Sequence, residues 1–324
     1  MGEEANDWQT VAYAATWLTF TCADLNYFDE GIRFGEKAQE ACKYLTLDSY
    51  PYFKSLVGMG QIYWFKGDCK KIAKIGNTLL DFGRKHSHVR CTAAGHIMSS
   101  YSHFTSGDFE SAINSAKNAT QVSVDRFYTQ WSKMMLGAFY VSNDQLTEAE
   151  GLLNELFDYF ENSGYESAIN FIQILLGAVL IAKGEMNRGF NMLQDAIKSC
   201  NGRKFWFGVA IGEYILAKVY LQIVEKKKPV NFSTVVKNFG FVIKNVPSAY
   251  MKAKDHLNIA IGLSKEFGLK GILAQSYFNL GLLYKIKGKT DDARRYITDA
   301  IPLFEECEAD VFLKQAQEAL AKLG

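Results

Sequence analysis

The chain has 324 residues, 48% of them hydrophobic and 22% charged, with 36 Lys and Arg against 35 Asp and Glu. That balance supplies no field for nucleic acid or an acidic membrane surface, and the apolar content excludes a disordered chain. Only 4 Pro occur, where a usage of ~5% would give roughly 16; such a chain suits long helices.

The first residues, Met1-Gly2-Glu3-Glu4, are acidic and lack the apolar run of a signal peptide. Asn6 stands where a myristoylation signal wants Ser or Thr. Six scattered cysteines (Cys22, Cys42, Cys69, Cys91, Cys200, Cys307) form no C-x-x-C pair, the usage expected of reduced thiols in a cytoplasmic protein. The most apolar windows are 171–182 and 205–224. The first is too short to span a bilayer and the second carries Glu213 and Lys218, so both are expected to be core helices and no membrane partner is expected.

In chain order, seven segments repeat one template, starting near positions 12, 53, 93, 130, 170, 210 and 274. The eighth residue of each is small: Thr19, Gly60, Ser100, Gly137, Gly177, Ala217 and Gly281. The eleventh residues are Cys22, Tyr63, His103, Tyr140, Leu180, Tyr220 and Tyr284, mostly large. A small residue lets two antiparallel helices approach, and a large one beside it fills the gap. The following helix of each unit carries Gly31/Ala38, Ile72/Leu79, Ala112/Ala119, Ala149/Leu156, Gly189/Ala196, Ala253/Ala260 and Ala293/Ala300. Between the two helices fall turns at 26–29, 66–68, 106–108, 143–144, 183–185 and 287–289. There Gly or Asn is expected to supply the left-handed residue, and Asp or Glu to favour the next helix.

The sixth unit is interrupted by an insert over 225–250, with an extra short helix expected from Ser233. From Glu225 to Lys254 stand seven Lys and one Glu, making Lys226, Lys227 and Lys228 a candidate basic docking loop. In the last unit Pro302 is expected to kink or end the second helix. A final helix over 310–323, with Val311, Phe312, Ala316, Ala319, Leu320 and Leu323 on one side, is expected to cap the stack.

The seventh unit is the clearest: Leu280-Gly281, Tyr284, the Gly288 turn, then Ala293, Ile297 and Ala300. This resembles the tetratricopeptide repeat. The resemblance implies an all-α fold: a right-handed α-solenoid of about seven helix pairs with a C-terminal capping helix, forming a single superhelical domain over 1–324. The period near 40, rather than 34, departs from the family pattern and implies longer helices or joins.

Enzyme signatures are missing. There is no phosphate loop, zinc helix, nucleophile elbow or kinase set, and Gly58-Met-Gly60 is too short for a dinucleotide fingerprint. The run His86-x-His88-x-x-Cys91 matches no established ligand spacing, so an exposed loop is preferred to a metal site. Asp291-Asp292 and Glu305-Glu306 are expected at helix starts and on exposed faces. No catalytic residue, cofactor or metal is expected, and the chain is expected not to be an enzyme.

In tetratricopeptide arrays the first helices of successive units line a concave groove. The family's second, fifth, ninth and twelfth positions fall here on Tyr13, Phe20, Trp64, Tyr101, Phe104, Trp131, Met134, Phe171, Tyr214 and Lys218. They describe an aromatic, nearly uncharged surface of the kind that anchors a peptide or helix. With helices longer than the family norm, inter-repeat core is the competing assignment for some of them. The fifth positions (Thr16, Val57, Ile97, Met134, Ile174, Tyr214, Phe278) lack the Lys and Asn of the clamp for a chaperone's terminal carboxylate.

The C-terminal third has a narrower resemblance, carried by Lys228-Pro-Val, Gly240-Phe-Val-Ile-Lys-Asn-Val-Pro247, the run from Gly268 to Gly281, and Phe304-Glu-Glu-Cys-Glu-Ala. It resembles the repeat region that follows the catalytic and ATPase modules of bacterial class III adenylate/guanylate cyclases. The resemblance implies a protein-binding regulatory tail whose partner is a protein, a peptide or the modules of its own parent chain. The alternative is a small-molecule sensor like the inducer-binding repeats of ATP-dependent bacterial transcription activators.

Overall fold

A computed structural model describes residues 4, 6–45, 49–225 and 246–323. The described residues form α-helices and one short 3-10 turn at Val246–Ser248, with no strand among them. They divide into two compact units, Met1–Lys133 and Met134–Gly324.

The first unit holds α1 (Trp8–Asp24), α2 (Phe28–Cys42), α3 (Ser49–Lys66), α4 (Cys69–His86), α5 (Val89–Ser106), α6 (Phe109–Val122) and the start of α7 (Arg126–Ser142). Here α1 packs on α2 and α3, α3 on α4 and α5, and α5 on α4 and α6. The first helices of the units, α1, α3 and α5, therefore lie side by side. The second unit holds the rest of α7 and α8 (Leu146–Ser163), α9 (Glu166–Ala182), α10 (Met186–Gly202) and α11 (Trp206–Glu225). It continues with α12 (Ala249–Phe267), α13 (Lys270–Ile286), α14 (Thr290–Glu306) and α15 (Asp310–Ala321). Each of α8 to α15 packs on the next, and α11 pairs directly with α12 although the insert separates them in sequence.

Local chemistry explains the punctuation. One left-handed residue stands in each described turn within a helix pair: Asn26, Gly67, Gly107, Asp144, Gly184 and Gly288. At 143–144 the left-handed residue is Asp144 rather than Asn143; Asp tolerates this region for the same reason as Asn, a short polar side chain. Two of the helices that follow are capped by an Asp side chain. Asp68 accepts from Lys71 N (3.2 Å) and Asp108 from Ser111 N (3.0 Å).

Small residues set the closest crossings. A β-carbon added to Gly177 in α9 would lie 2.9 Å from the Gly189 carbonyl oxygen of α10, and one added to Gly189 would lie 2.6 Å from the Gly177 oxygen. The two backbones are in contact, as the eighth-position rule expects. Gly60 differs, because a β-carbon there would meet Met98 Sδ of α5, at 2.2 Å, and not α4. Its space is filled from the neighbouring unit.

One expectation changes. Pro302 lies inside α14, which continues to Glu306. The proline is on the exposed side of the helix, while buried Ile297, Ala300 and Phe304 hold the helix in place. The short helix expected from Ser233 lies outside the described residues. The final helix runs to Ala321, and its Phe312, Ala316 and Leu320 pack on Phe278, Ile297 and Phe304. Among the described residues α11 is the one helix long and apolar enough to cross a bilayer. Most of its side chains are buried against α10, α12 and α13.

Candidate functional site

The sequence-predicted groove residues are of three kinds. Tyr13, Phe20, Trp64, Phe104, Trp131 and Tyr214 are half-buried, and Lys218 is exposed. Tyr101, Met134 and Phe171 are buried, so they are walls rather than solvent-facing anchors. Tyr101 is covered because the Trp64 ring stacks on it (4.6 Å) and Trp131 Nε1 donates to its hydroxyl (2.5 Å). Phe171 is covered because α9 packs on α8, α10 and α11, which leaves little free flank.

In the first unit these side chains join one continuous aromatic face. Phe127 stacks on Trp131 (5.9 Å), Trp131 bonds Tyr101, and Tyr101 stacks on Trp64. At the other end Trp17 and Phe20 of α1 lean together at 6.1 Å. Between the two ends sits Lys54 of α3. Its ammonium lies 5.4 Å from the Trp17 ring centroid, 5.0 Å from Phe20, 5.3 Å from Phe127 and 4.7 Å from Tyr128. Lys54 is 7% exposed, whereas Trp17 and Phe127 at the mouth of this cage are 51% and 37% exposed.

Electrostatics single out the lysine. Burial pulls its pKa down to about 8, while Asp125 pulls the other way. Asp125 is otherwise engaged: it caps α7 through Phe127 N (3.0 Å) and Tyr128 N (3.3 Å), and it pairs with Arg90 at 3.5 Å. Burial also raises the Tyr128 phenol well above its ordinary range, and its hydroxyl is buried without a hydrogen-bond partner. The face is thus not uncharged, as the sequence suggested, but carries one enclosed cation.

Lys54 was missed although the register contains it. It occupies the second position of its unit, the slot that nominates Tyr13, Trp131 and Phe171. Phe127 and Tyr128 have no such signal. They precede the unit start near 130 because α7 begins at Arg126, a turn earlier than the family pattern implies.

In the second unit Tyr214 donates to Gln275 Oε1 (3.2 Å), Asn279 donates to the Tyr214 hydroxyl (3.4 Å), and Lys218 lies over the Tyr214 ring (5.7 Å). Elsewhere in that unit a cleft of about 450 Å³ opens between α10, α11 and α12, lined by Ile197, Trp206, Leu216 and Ile259. Glu213 and His256 pair in it at 2.5 Å, and the His256 ring stacks on Tyr220. The candidate docking residues Lys226, Lys227 and Lys228 lie outside the described residues.

Among the described residues no three His, Cys, Asp or Glu side chains converge to hold a metal. His88 instead caps α5 by accepting from Cys91 N (3.2 Å), and burial pushes the Cys91 thiol up to about 12. None of the six cysteines forms a disulfide.

Comparison with known proteins accords with this architecture. Residues 274–306 match the tetratricopeptide repeat family. No curated protein matches the sequence significantly. Among solved structures, a Rap protein complexed with competence and sporulation factor aligns with a TM-score of 0.67 and 11% identity, over 96% of this chain and 85% of that one. NprR in complex with its cognate peptide NprX aligns at 0.59 and 13% identity, over 96% and 81%. The apo quorum sensor NprR from B. thuringiensis aligns at 0.54 and 12% identity, over 96% and 79%. At these identities the likeness is one of fold: an all-α, tetratricopeptide-like array of helix pairs.

Proposed function

We propose that this chain is a non-catalytic peptide-recognition module that regulates other proteins, and that the aromatic face of its first unit receives the peptide. The carrying observation is that face: Trp64, Phe127 and Trp131 toward one end and Trp17 and Phe20 toward the other, half-buried or exposed, with the Lys54 ammonium enclosed by Trp17, Phe20, Phe127 and Tyr128. Aromatic side chains of this kind bury much area at small entropic cost and are the usual anchors of an interface. Two of the solved structures of like fold hold a named peptide or factor, which supports a peptide as the ligand class.

The resemblance of the C-terminal third to cyclase–ATPase proteins extends the proposal. A bacterial, cytoplasmic setting and docking on modules of the same parent chain are parts of it. The test is affinity selection from a synthetic pool of random octapeptides. Apolar-rich sequences should be retained by the full chain and lost on Trp131→Ala, with the helical circular dichroism of the variant retained. Retention that survives Trp131→Ala and Trp64→Ala together would refute this location.

The cleft of about 450 Å³ beside Glu213 and His256 favours a second reading, a small-molecule sensor. A metabolite that raises the melting temperature of wild type but not of Trp206→Ala would establish it.

A further inference from the structure

Lys54 carries an inference that rests on the peptide reading and names what the peptide must present. Its ammonium has three N–H donors, and no hydrogen bond or ion pair of it occurs among the described residues. Ring faces attract a cation but accept no strong hydrogen bond. Among the described residues the one carboxylate that acts on it, Asp125, is held by Arg90 and by the start of α7.

Asp125 favours the charged form of the lysine, yet burial outweighs it and pulls the pKa down to about 8. A buried charge in this condition gains from an incoming anion more than an exposed lysine would, because its desolvation has already occurred. The half-exposed Trp17 and Phe127 leave the approach open and offer apolar contacts on either side.

We propose that the Lys54 ammonium is the anion-recognition point of this face and takes a carboxylate of the bound peptide, with Trp17, Phe20 and Phe127 packing against the apolar groups beside it. The carboxylate comes from an Asp or Glu side chain or from the peptide's C-terminus; the shared chemistry is a carboxylate flanked by apolar groups.

The test uses the full chain and two pools of random octapeptides, one of free acids and one of C-terminal amides. Retained peptides should carry Asp or Glu, or come from the free-acid pool alone, which separates the two sources. Replacing the carboxylate of a retained peptide by its amide should weaken binding to wild type about ten- to hundredfold, the range of a charge-assisted hydrogen bond. The same replacement should cost little on Lys54→Met. If that variant melts early, the acid-to-amide comparison on the unmodified protein still decides. Retained peptides that are neutral or basic, or an acid-to-amide loss equal on both proteins, overturn the carboxylate role and leave peptide recognition standing. No peptide retained from either pool overturns both.

Discussion

Asp24 ends α1 with a half-buried carboxylate, at the end of a helix where the backbone already gathers partial negative charge. Burial raises its pKa to about 6, above the ordinary value of about 3.9. The folded state then holds a proton that the unfolded state has released, so stability falls as pH rises from about 4 to about 6. Asp24→Asn should add about 1–2 kcal/mol at pH 7 and nothing at pH 4, measured by urea unfolding at both. Asp108 has the opposite sign. Hydrogen bonds from Ser111 hold its pKa below the usual range, so its contribution is present at neutral pH and fades as pH falls through the folded-state pKa. Asp108→Ala should cost about 1 kcal/mol at pH 7 and progressively less in acid.

The crossing of α9 and α10 brings backbone against backbone, so a methyl group at Gly177 has nowhere to go. Gly177→Ala should cost about 1–3 kcal/mol by chemical denaturation. Gly60→Ala should cost less, because its obstacle is the flexible end of Met98. Between α11 and α12 the Glu213–His256 pair offers a second check. His256→Ala strips a nearly buried carboxylate of its partner. That should cost roughly 2–3 kcal/mol, below the 3–5 of a fully buried pair because this one borders the cleft. Repeat spacing made these helices legible in advance; it did not reveal which neighbour fills each small position, since that depends on side chains distant in sequence.

At the scale of the whole molecule, α15 covers apolar surface that α13 and α14 leave over. Phe278, Ile297, Phe304 and Cys307 belong to one buried cluster with Ala316. Deleting residues 310–324 should lower the melting temperature and raise binding of a hydrophobic dye, because a helical array cannot leave such a face bare in water. A truncated chain that melts like the full one would mean that α14 closes its own face.

Among the described residues the helix pairs, their turns and the final helix were readable from the sequence because each follows from short-range spacing: a small residue at the eighth position, a left-handed turn, an Asp cap. The aromatic character of the candidate face was readable for the same reason, since Phe20, Trp64 and Trp131 recur at fixed register positions. Tertiary structure alone decided that Tyr101 is covered by the stacked Trp64 ring and by the Trp131 N–H at its hydroxyl, and that Trp17, Phe20, Phe127 and Tyr128 meet around Lys54. Those rings come from α1 and α7, more than 100 positions apart. Periodicity assigns a side chain to a face, but only the packing of distant helices sets which charge that face encloses.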